Sequence, residues 1–246
     1  MPDLVIIHTN DMHNRLDAGG AQLLRREREK ADALLLDAGD AAWAGNVYYR
    51  PGGEPILKTM SGAGYDAMTV GNREFHFTCN GFASKLSRAS FTILCANVRA
   101  TRGDPVPCVP SVIIERAGLR IGVFGLTVPM VTPGSRAAAF SAYVFDPPLE
   151  AARLVVEHLR PRCDVLVALT HVGLTRDRLL AEAAPELDVI AGGHSHDTLE
   201  RPEYAGGVPI VQAGSHARAF GVVELTRRRG GWDVAGRIEP LPRTFI

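Results

Sequence analysis

Short apolar runs alternate with stretches of helical spacing along most of the chain, and several runs stop abruptly at a cluster of polar residues and glycine. Such runs read as strands. The stretches between them, where Leu, Ala and charged residues recur on one face, read as helices. The pattern predicts strands near residues 3–8, 33–37, 66–70, 91–96, 111–116, 119–126, 164–170, 187–191, 208–213, 219–226 and 232–239, with helices near 19–31, 54–62, 79–88, 147–160 and 174–184. Helices separate the early strands, whereas Ala117-Gly118 and Arg229-Gly230-Gly231 read as hairpin turns. The expected class is therefore α/β, with mixed sheets stacked on each other and helices outside. The segment from Ala100 to Pro110, rich in Pro, Arg and Gly, reads as a loop. Gly62-Ala63-Gly64 superficially matches a dinucleotide-binding turn, but it follows a helix and precedes a strand, which is the wrong order, and it reads as a helix stop.

Length and charge narrow the partners. The 246 residues are enough for one substantial core, expected as a single domain over residues 1–246. Basic and acidic residues balance at 27 each, so nothing draws the whole chain to nucleic acid or to an anionic membrane. Any phosphate recognition must be local. No run approaches the ~18 apolar residues of a membrane-spanning helix, and Met1-Pro2-Asp3 leads straight into Leu4-Val5-Ile6-Ile7, which reads as a strand and not a leader. A soluble, cytoplasmic protein is the expectation. Cys79, Cys95, Cys108 and Cys163 are far apart in sequence, form no Cys-x-x-Cys pair, and read as reduced thiols.

The chemistry is carried by the polar clusters, each directly after a buried-looking strand, where open α/β sheets place their ligands. In chain order they are Asp11-Met12-His13, Asp37-Ala38-Gly39-Asp40, Gly71-Asn72-Arg73-Glu74, Thr170-His171-Val172-Gly173 and Gly192-Gly193-His194-Ser195-His196. In extended backbone, residues i and i+2 share a side, so Asp11 with His13, and His194 with His196, can each converge on one point. Asp11, His13, Asp40, Asn72, His171, His194 and His196 together offer two carboxylates, four imidazoles and one amide, without a thiolate. That set favours Mn, Fe, Zn, Co or Mg. It exceeds one tetrahedral site, so two divalent ions bridged by a carboxylate fit better than one. Gly39, Gly71, Gly192 and Gly193 suit backbone that turns sharply beside the ions. His8 falls on the opposite side of a regular strand from Asp11 and His158 sits among charged residues of a helix, so both read as structural or surface histidines.

Taken with Ala96-Asn97-Val98 and Gly125-Leu126-Thr127, and with His8-Thr9-Asn10 ahead of Asp11, these segments resemble the metal-binding domain of the 5'-nucleotidase branch of the calcineurin-like metallophosphoesterases, in order from residue 4 to about 225. The resemblance implies a four-layer αββα sandwich. It also implies one ion on Asp11, His13 and His196, another on Asn72, His171 and His194, and Asp40 bridging them. The implied reaction is hydrolysis of a phosphomonoester or a small, nucleotide-like phosphodiester by a hydroxide on the ions, in line with the leaving group.

Two features depart from that family. Its motif Gly-Asn-His-Glu-Phe-Asp reads here Gly71-Asn72-Arg73-Glu74-Phe75-His76. A guanidinium can hold a phosphoryl oxygen but cannot donate a proton near neutral pH. His76 has the right chemistry for proton transfer, and Arg73 and His76 are expected to divide the work of the family's single histidine. The second departure is length, because the family's nucleoside-binding domain lies beyond the matched region and nucleotide specificity cannot be carried over. Trp43, Tyr48, Tyr49 and Arg50, which follow Asp40, and His216, in Gly214-Ser215-His216-Ala217, are candidates for contact with a small phosphorylated substrate. An open site also leaves room for a second subunit, so a homo-oligomer is one expectation. The competing reading is a metal-binding regulatory protein with weak or lost phosphatase activity, suggested by Arg73.

Overall fold

The computed structural model describes residues 2–242. Within them lie five α-helices and two six-stranded mixed sheets. The first sheet contains β1 (Leu4–Thr9), β2 (Leu34–Asp37), β3 (Ala67–Thr69) and β4 (Thr92–Leu94), joined in parallel through helices α1 (Ala18–Ala31), α2 (Pro55–Ala63) and α3 (Cys79–Leu86). Further along the chain come β5 (Val98–Ala100), β6 (Ser111–Arg116), β7 (Leu119–Thr127), β8 (Tyr143–Phe145), α4 (Pro148–Leu159), β9 (Val165–His171), α5 (Leu174–Ala183) and β10 (Val189–Ala191). The last strands are β11 (Glu203–Ala205), β12 (Val208–Val211), β13 (Ala219–Arg228) and β14 (Gly231–Pro240). The spatial orders are β14-β13-β1-β2-β3-β4 and β11-β12-β10-β9-β7-β6, while β5 and β8 form a separate antiparallel ribbon. The chain thus returns from the second sheet to place β13 antiparallel beside β1.

Three packed layers of side chains explain the architecture. Leu4, Ile6, Leu34, Leu36 and Leu94 from one sheet meet Val123, Val165, Val167, Leu169 and Val189 from the other, and no water-facing side is left to either sheet there. Alternate residues of the first sheet, such as Ile7, Leu35 and Met68, pack outward under Leu24 of α1, Leu57 of α2 and Phe82 of α3. Leu166, Ala168 and Ile190 do the same beneath Val156 of α4 and Leu180 of α5. Strands buried on both faces read as unbroken apolar runs, which is why Leu34-Leu35-Leu36 and Val165–Leu169 stand out in the sequence. The result is the αββα sandwich that the resemblance implies.

The turns also follow local chemistry. Ala117 and Gly118 both take positive φ, 50° and 74°, as a two-residue hairpin between twisted strands requires. Gly64 ends α2 in the left-handed region, as expected of a helix stop. The four cysteines are free, with Cys95 and Cys163 buried. No helix of the described residues is long and apolar enough to cross a membrane.

Three strands go beyond those the sequence pattern predicts: β5, β8 and β11. Each has only three residues, too few to show an alternating pattern. Within the expected loop from Ala100 to Pro110, Ala100 closes β5 and Val109 makes a parallel bridge to Leu94.

His8 illustrates how the inner layer constrains polar groups. Its ring is buried, its Nδ1 lacks a hydrogen-bond partner, and it lies over Gly221 of β13, where any β-carbon would collide with it. Burial pushes its pKa from 6.5 down to about 4. The unfolded chain therefore binds a proton between these values that the folded chain refuses. Stability is fully present above pH ~6.5 and falls as pH drops toward ~4, by on the order of 3 kcal/mol. Urea titrations from pH 7 to 4 should show this loss, and His8→Leu should flatten it; an equal slope in both proteins would assign the acid sensitivity elsewhere.

Candidate metal centre

The carboxyl ends of β1, β2 and β3, parallel in one sheet, and of β9 and β10, parallel in the other, lead into the loops that carry the polar clusters. The loops leaving them bring five polar groups into two overlapping clusters, Asp11-His13-His196 and Asp11-Asp40-His171. His196 Nε2 is 3.2 Å from Asp11 Oδ1 and 3.2 Å from His13 Nε2, and His171 Nε2 is 3.4 Å from Asp40 Oδ1. Asn72 joins from the β3 loop: its Oδ1 is 3.2 Å from His171 Nε2 and 3.1 Å from His194 Nδ1. All seven residues singled out in the sequence thus lie in one cluster.

The backbone reaches this arrangement by a different route from the one expected. Asp11, His13, Asp40, His194 and His196 have φ of 50°, 46°, 54°, 78° and 61°. They occupy left-handed turns, not extended strand ends, so convergence comes from repeated sharp reversals and not from strand alternation. Non-glycine residues adopt this conformation only when their surroundings hold them there. Those surroundings are visible. Asp11 N donates to Gly39 O, His13 N to Asp40 O, and His216 N to Asp11 O, at 2.9, 3.0 and 2.7 Å. Gly71 is packed so closely on Asp40 that a β-carbon there would strike the Asp40 backbone and carboxylate.

A further layer orients the clustered groups. His171 Nδ1 donates to Ala38 O at 2.8 Å, which fixes the ring's orientation and turns Nε2 toward Asp40 and Asn72. Asp11 Oδ2 accepts from Asn10 Nδ2 and His194 N, at 2.9 and 2.8 Å. Glu74, fully buried, accepts from Asp40 N, Gly71 N and Ala42 N at 2.9, 2.9 and 2.8 Å, tying the β2 and β3 loops together. Burial, with the nearby Asp40 charge, raises Glu74 to about 7.

The charges in the clusters are mutually dependent. Burial alone would raise the Asp11 carboxyl, but His196 and His171 outweigh it and hold it below the usual carboxylate value. Burial works against a charge on His171, yet Asp40 and Asp11 prevail and raise it to about 9. The same donor set suits a divalent cation. Asp11 Oδ1 is buried without a hydrogen-bond donor, and two imidazole nitrogens face each other beside it. Carboxylate, imidazole and amide donors with no sulfur are ligands for hard or borderline ions.

Comparison with known proteins agrees with this geometry. The profile of the family described as Calcineurin-like phosphoesterase matches residues 4–198. The chain belongs to that family. Within it, the chain corresponds to the N-terminal domain of 5'-nucleotidases. It is 27% identical over 265 residues to the trifunctional nucleotide phosphoesterase protein YfkN of Bacillus subtilis, covering 91% of this chain and 18% of that protein. It is 29% identical over 260 residues to the 5'-nucleotidase of Rattus norvegicus, covering 90% of this chain and 44% of that one. The crystal structure of a 5'-nucleotidase precursor from Thermus thermophilus superposes with a TM-score of 0.81 at 25% identity, over 96% of this chain and 54% of that chain. The chain therefore spans about half the length, or less, of these relatives.

Arg73 stands beside the clusters: its backbone N donates to Asp40 Oδ1 at 2.7 Å, and its Nε is 3.7 Å from Asp40 Oδ2. Its Nη1 donates to Trp43 O at 2.9 Å, and the guanidinium lies over the Trp43 ring, 4.9 Å from the centroid. The Trp43 ring in turn meets His13 edge-on at 5.6 Å. His216 packs against His13 and His196, with ring centroids 5.0 and 5.9 Å away, and its Nδ1 pairs with Ser215 Oγ.

Other candidates are elsewhere. His76 Nδ1 accepts from Thr78 N at 3.0 Å, its ring meets Tyr49 at 5.0 Å, and it fills the space that a β-carbon at Gly81 would need. Burial and the nearby Lys85 ammonium lower its pKa, which favours the neutral ring that accepts from Thr78. These contacts tie the ring to the start of α3. Tyr48 and Arg50 are exposed on the loop after Trp43, and Arg50 contributes its carbonyl, not its guanidinium, to Ser84 and Gly53. Neither Glu74 nor Lys85 is singled out by the sequence. Glu74 stands inside the matched motif, but its function as an acceptor of three backbone N–H groups depends on a loop about 30 residues earlier; nothing distinguishes Lys85 from a surface lysine of an amphipathic helix.

Proposed function

We propose that the chain is a hydrolase of phosphoric esters that works with two divalent ions and acts on a phosphomonoester or a small, nucleotide-like phosphodiester. The supporting observation is the pair of adjoining clusters, Asp11-His13-His196 and Asp11-Asp40-His171, with Asn72 extending the second toward His194. In this reading Asp11, His13 and His196 would hold one ion, Asn72, His171 and His194 would hold the other, and Asp40 would serve both. When bound, the two ions supply positive charge to the phosphoryl oxygens and lower the pKa of a water.

The protein groups supply position and charge. Arg73, directed by Asp40 and Trp43, neutralises charge on the phosphoryl group or on the departing oxygen, without giving it a proton. Trp43, half exposed beside His13, offers a flat face to a ring on the substrate. His216 borders the first cluster and is proposed to contact the phosphoryl oxygens. For His76 the proposed role is support: a neutral ring, accepting from Thr78 and wedged over Gly81, sets the turn into α3. Tyr48 and Arg50 are proposed to meet the outer part of a larger substrate.

The alternative of a metal-binding regulatory protein draws on one observation, the engagement of Arg73 by Trp43 O, which takes up one of its donors. Both readings require metal; only one requires turnover. Purified protein loaded with Mn should retain two equivalents per chain by elemental analysis and hydrolyse p-nitrophenyl phosphate or its bis-ester. Bound metal without turnover on either ester, or on a panel of nucleotides, favours the regulatory reading. Absence of bound metal after loading rejects both.

A further inference from the structure

Lys85 is an ammonium group with no solvent. It lies on α3 with its residue fully buried, where an unsatisfied charge is costly. Its three protons are all used, and by backbone: Nζ donates to Gly45 O at 2.8 Å, Arg73 O at 2.7 Å and Phe75 O at 3.0 Å. Two of these carbonyls belong to the β3 loop and one to the loop that carries Trp43.

Glu74 does the converse. It collects three backbone N–H groups from the same two loops, at Asp40, Ala42 and Gly71. Between these anchors, Arg73 Nη1 holds the carbonyl of Trp43 itself. Residues 40–45 are therefore fastened at four points, by Glu74 at 40 and 42, Arg73 at 43 and Lys85 at 45. The indole they hold is still 52% exposed. An exposed aromatic ring on an otherwise immobilised loop loses little freedom when a ligand covers it.

From this arrangement we infer that Lys85 is a positioning residue, which locks Trp43 and Arg73 into one rigid unit at the rim of the metal clusters so that a substrate's ring and its phosphoryl group are met together. The inference rests on the proposed phosphoesterase activity for its kinetic consequence, but not for its structural one. Lys85 touches no cluster residue through its side chain, and both loops keep their Glu74 contacts without it. Its removal therefore loosens Trp43 and Arg73 while leaving the metal ligands in place.

The test uses the full chain with Trp232→Phe, which leaves Trp43 as the single tryptophan, since the sequence has two. Lys85→Met keeps the length and removes every donor; Lys85→Gln restores two donors. For Lys85→Met, Mn content should stay at the parent value, acrylamide quenching of Trp43 should rise about twofold, and KM for p-nitrophenyl phosphate should rise roughly tenfold with a smaller change in kcat. Lys85→Gln should fall between it and the parent. Unchanged quenching and unchanged KM in a folded, metal-loaded Lys85→Met protein overturn the inference. Where neither variant folds, the Trp232→Phe parent decides: time-resolved anisotropy should show Trp43 rotating with the whole protein, and a large nanosecond component from local motion overturns it. Quenching and anisotropy need no turnover, so an inactive protein whose Trp43 behaves as stated removes the phosphoesterase reading and leaves the positioning role. An active one whose Trp43 is indifferent to Lys85 does the reverse.

Discussion

Asp40→Asn is expected to lower turnover of bis(p-nitrophenyl) phosphate by on the order of 10³-fold and to release one of the two Mn ions. The substitution keeps the shape of the side chain and one carbonyl oxygen to accept from Arg73 N, so the loop is preserved. What disappears is the negative charge that faces His171 and, at longer range, His13 and His194. A neutral amide cannot bridge two cations against their mutual repulsion. The metal-free variant should melt within a few degrees of the metal-free parent, while the rise in Tm on adding Mn should shrink, because an ion that binds only the folded state stabilises it by mass action. Elemental analysis, melting curves with and without Mn, and initial rates check the three parts. Full activity with two retained ions would remove Asp40 from the bridge.

Arg73→His should have the second-largest effect, and it should depend on the leaving group. A positioned general acid is worth about 10²–10⁴-fold when the departing oxygen is a poor leaving group. Arg73 cannot act in that way, because a guanidinium keeps its proton at neutral pH. The parent is therefore expected to turn over aryl esters far better than alkyl phosphomonoesters. An imidazole at position 73 should raise the alkyl-to-aryl rate ratio by at least about tenfold. The ratio is the right measure, since the variant also loses the hydrogen bond to Trp43 O and both absolute rates will suffer. An unchanged ratio means that the group at position 73 does not reach the departing oxygen.

The sequence is informative where side-chain chemistry and local period coincide. The parallel strands β2 and β9, apolar on both faces, announce themselves as Leu34–Leu36 and Val165–Leu169, and each predicted helix appears within a residue or two of its place. The cluster residues are legible because each stands just after such a strand. Less legible are features that depend on pairs of distant segments. The left-handed conformations of Asp11, His13, Asp40, His194 and His196 are imposed by cross-loop hydrogen bonds, whereas local spacing suggests extended backbone. His76 illustrates the same limit. Its place three residues after Arg73 suggests a shared cavity, but Gly81, five residues further on, opens a space that its ring fills. Lys85 gives no signal, because a lysine on a helix face reads as solvated until the loops packed over it are known.

The distribution of the cluster along the chain has a consequence for biosynthesis. Its residues run from Asp11 to His196, and β1, which positions the first of them, gains its antiparallel neighbour only with Ala219–Arg228. While the ribosome has delivered only the first half, Asp11, His13, Asp40 and Asn72 are present without the three histidines of the second sheet. An ion captured then would be held by an incomplete and flexible shell and exchanged readily. Secure loading has to wait until nearly the whole chain has emerged and the two sheets have met. On the two-ion reading proposed above, the metal bound would thus be set by the ions available to the finished fold, and not by those first encountered by the nascent chain.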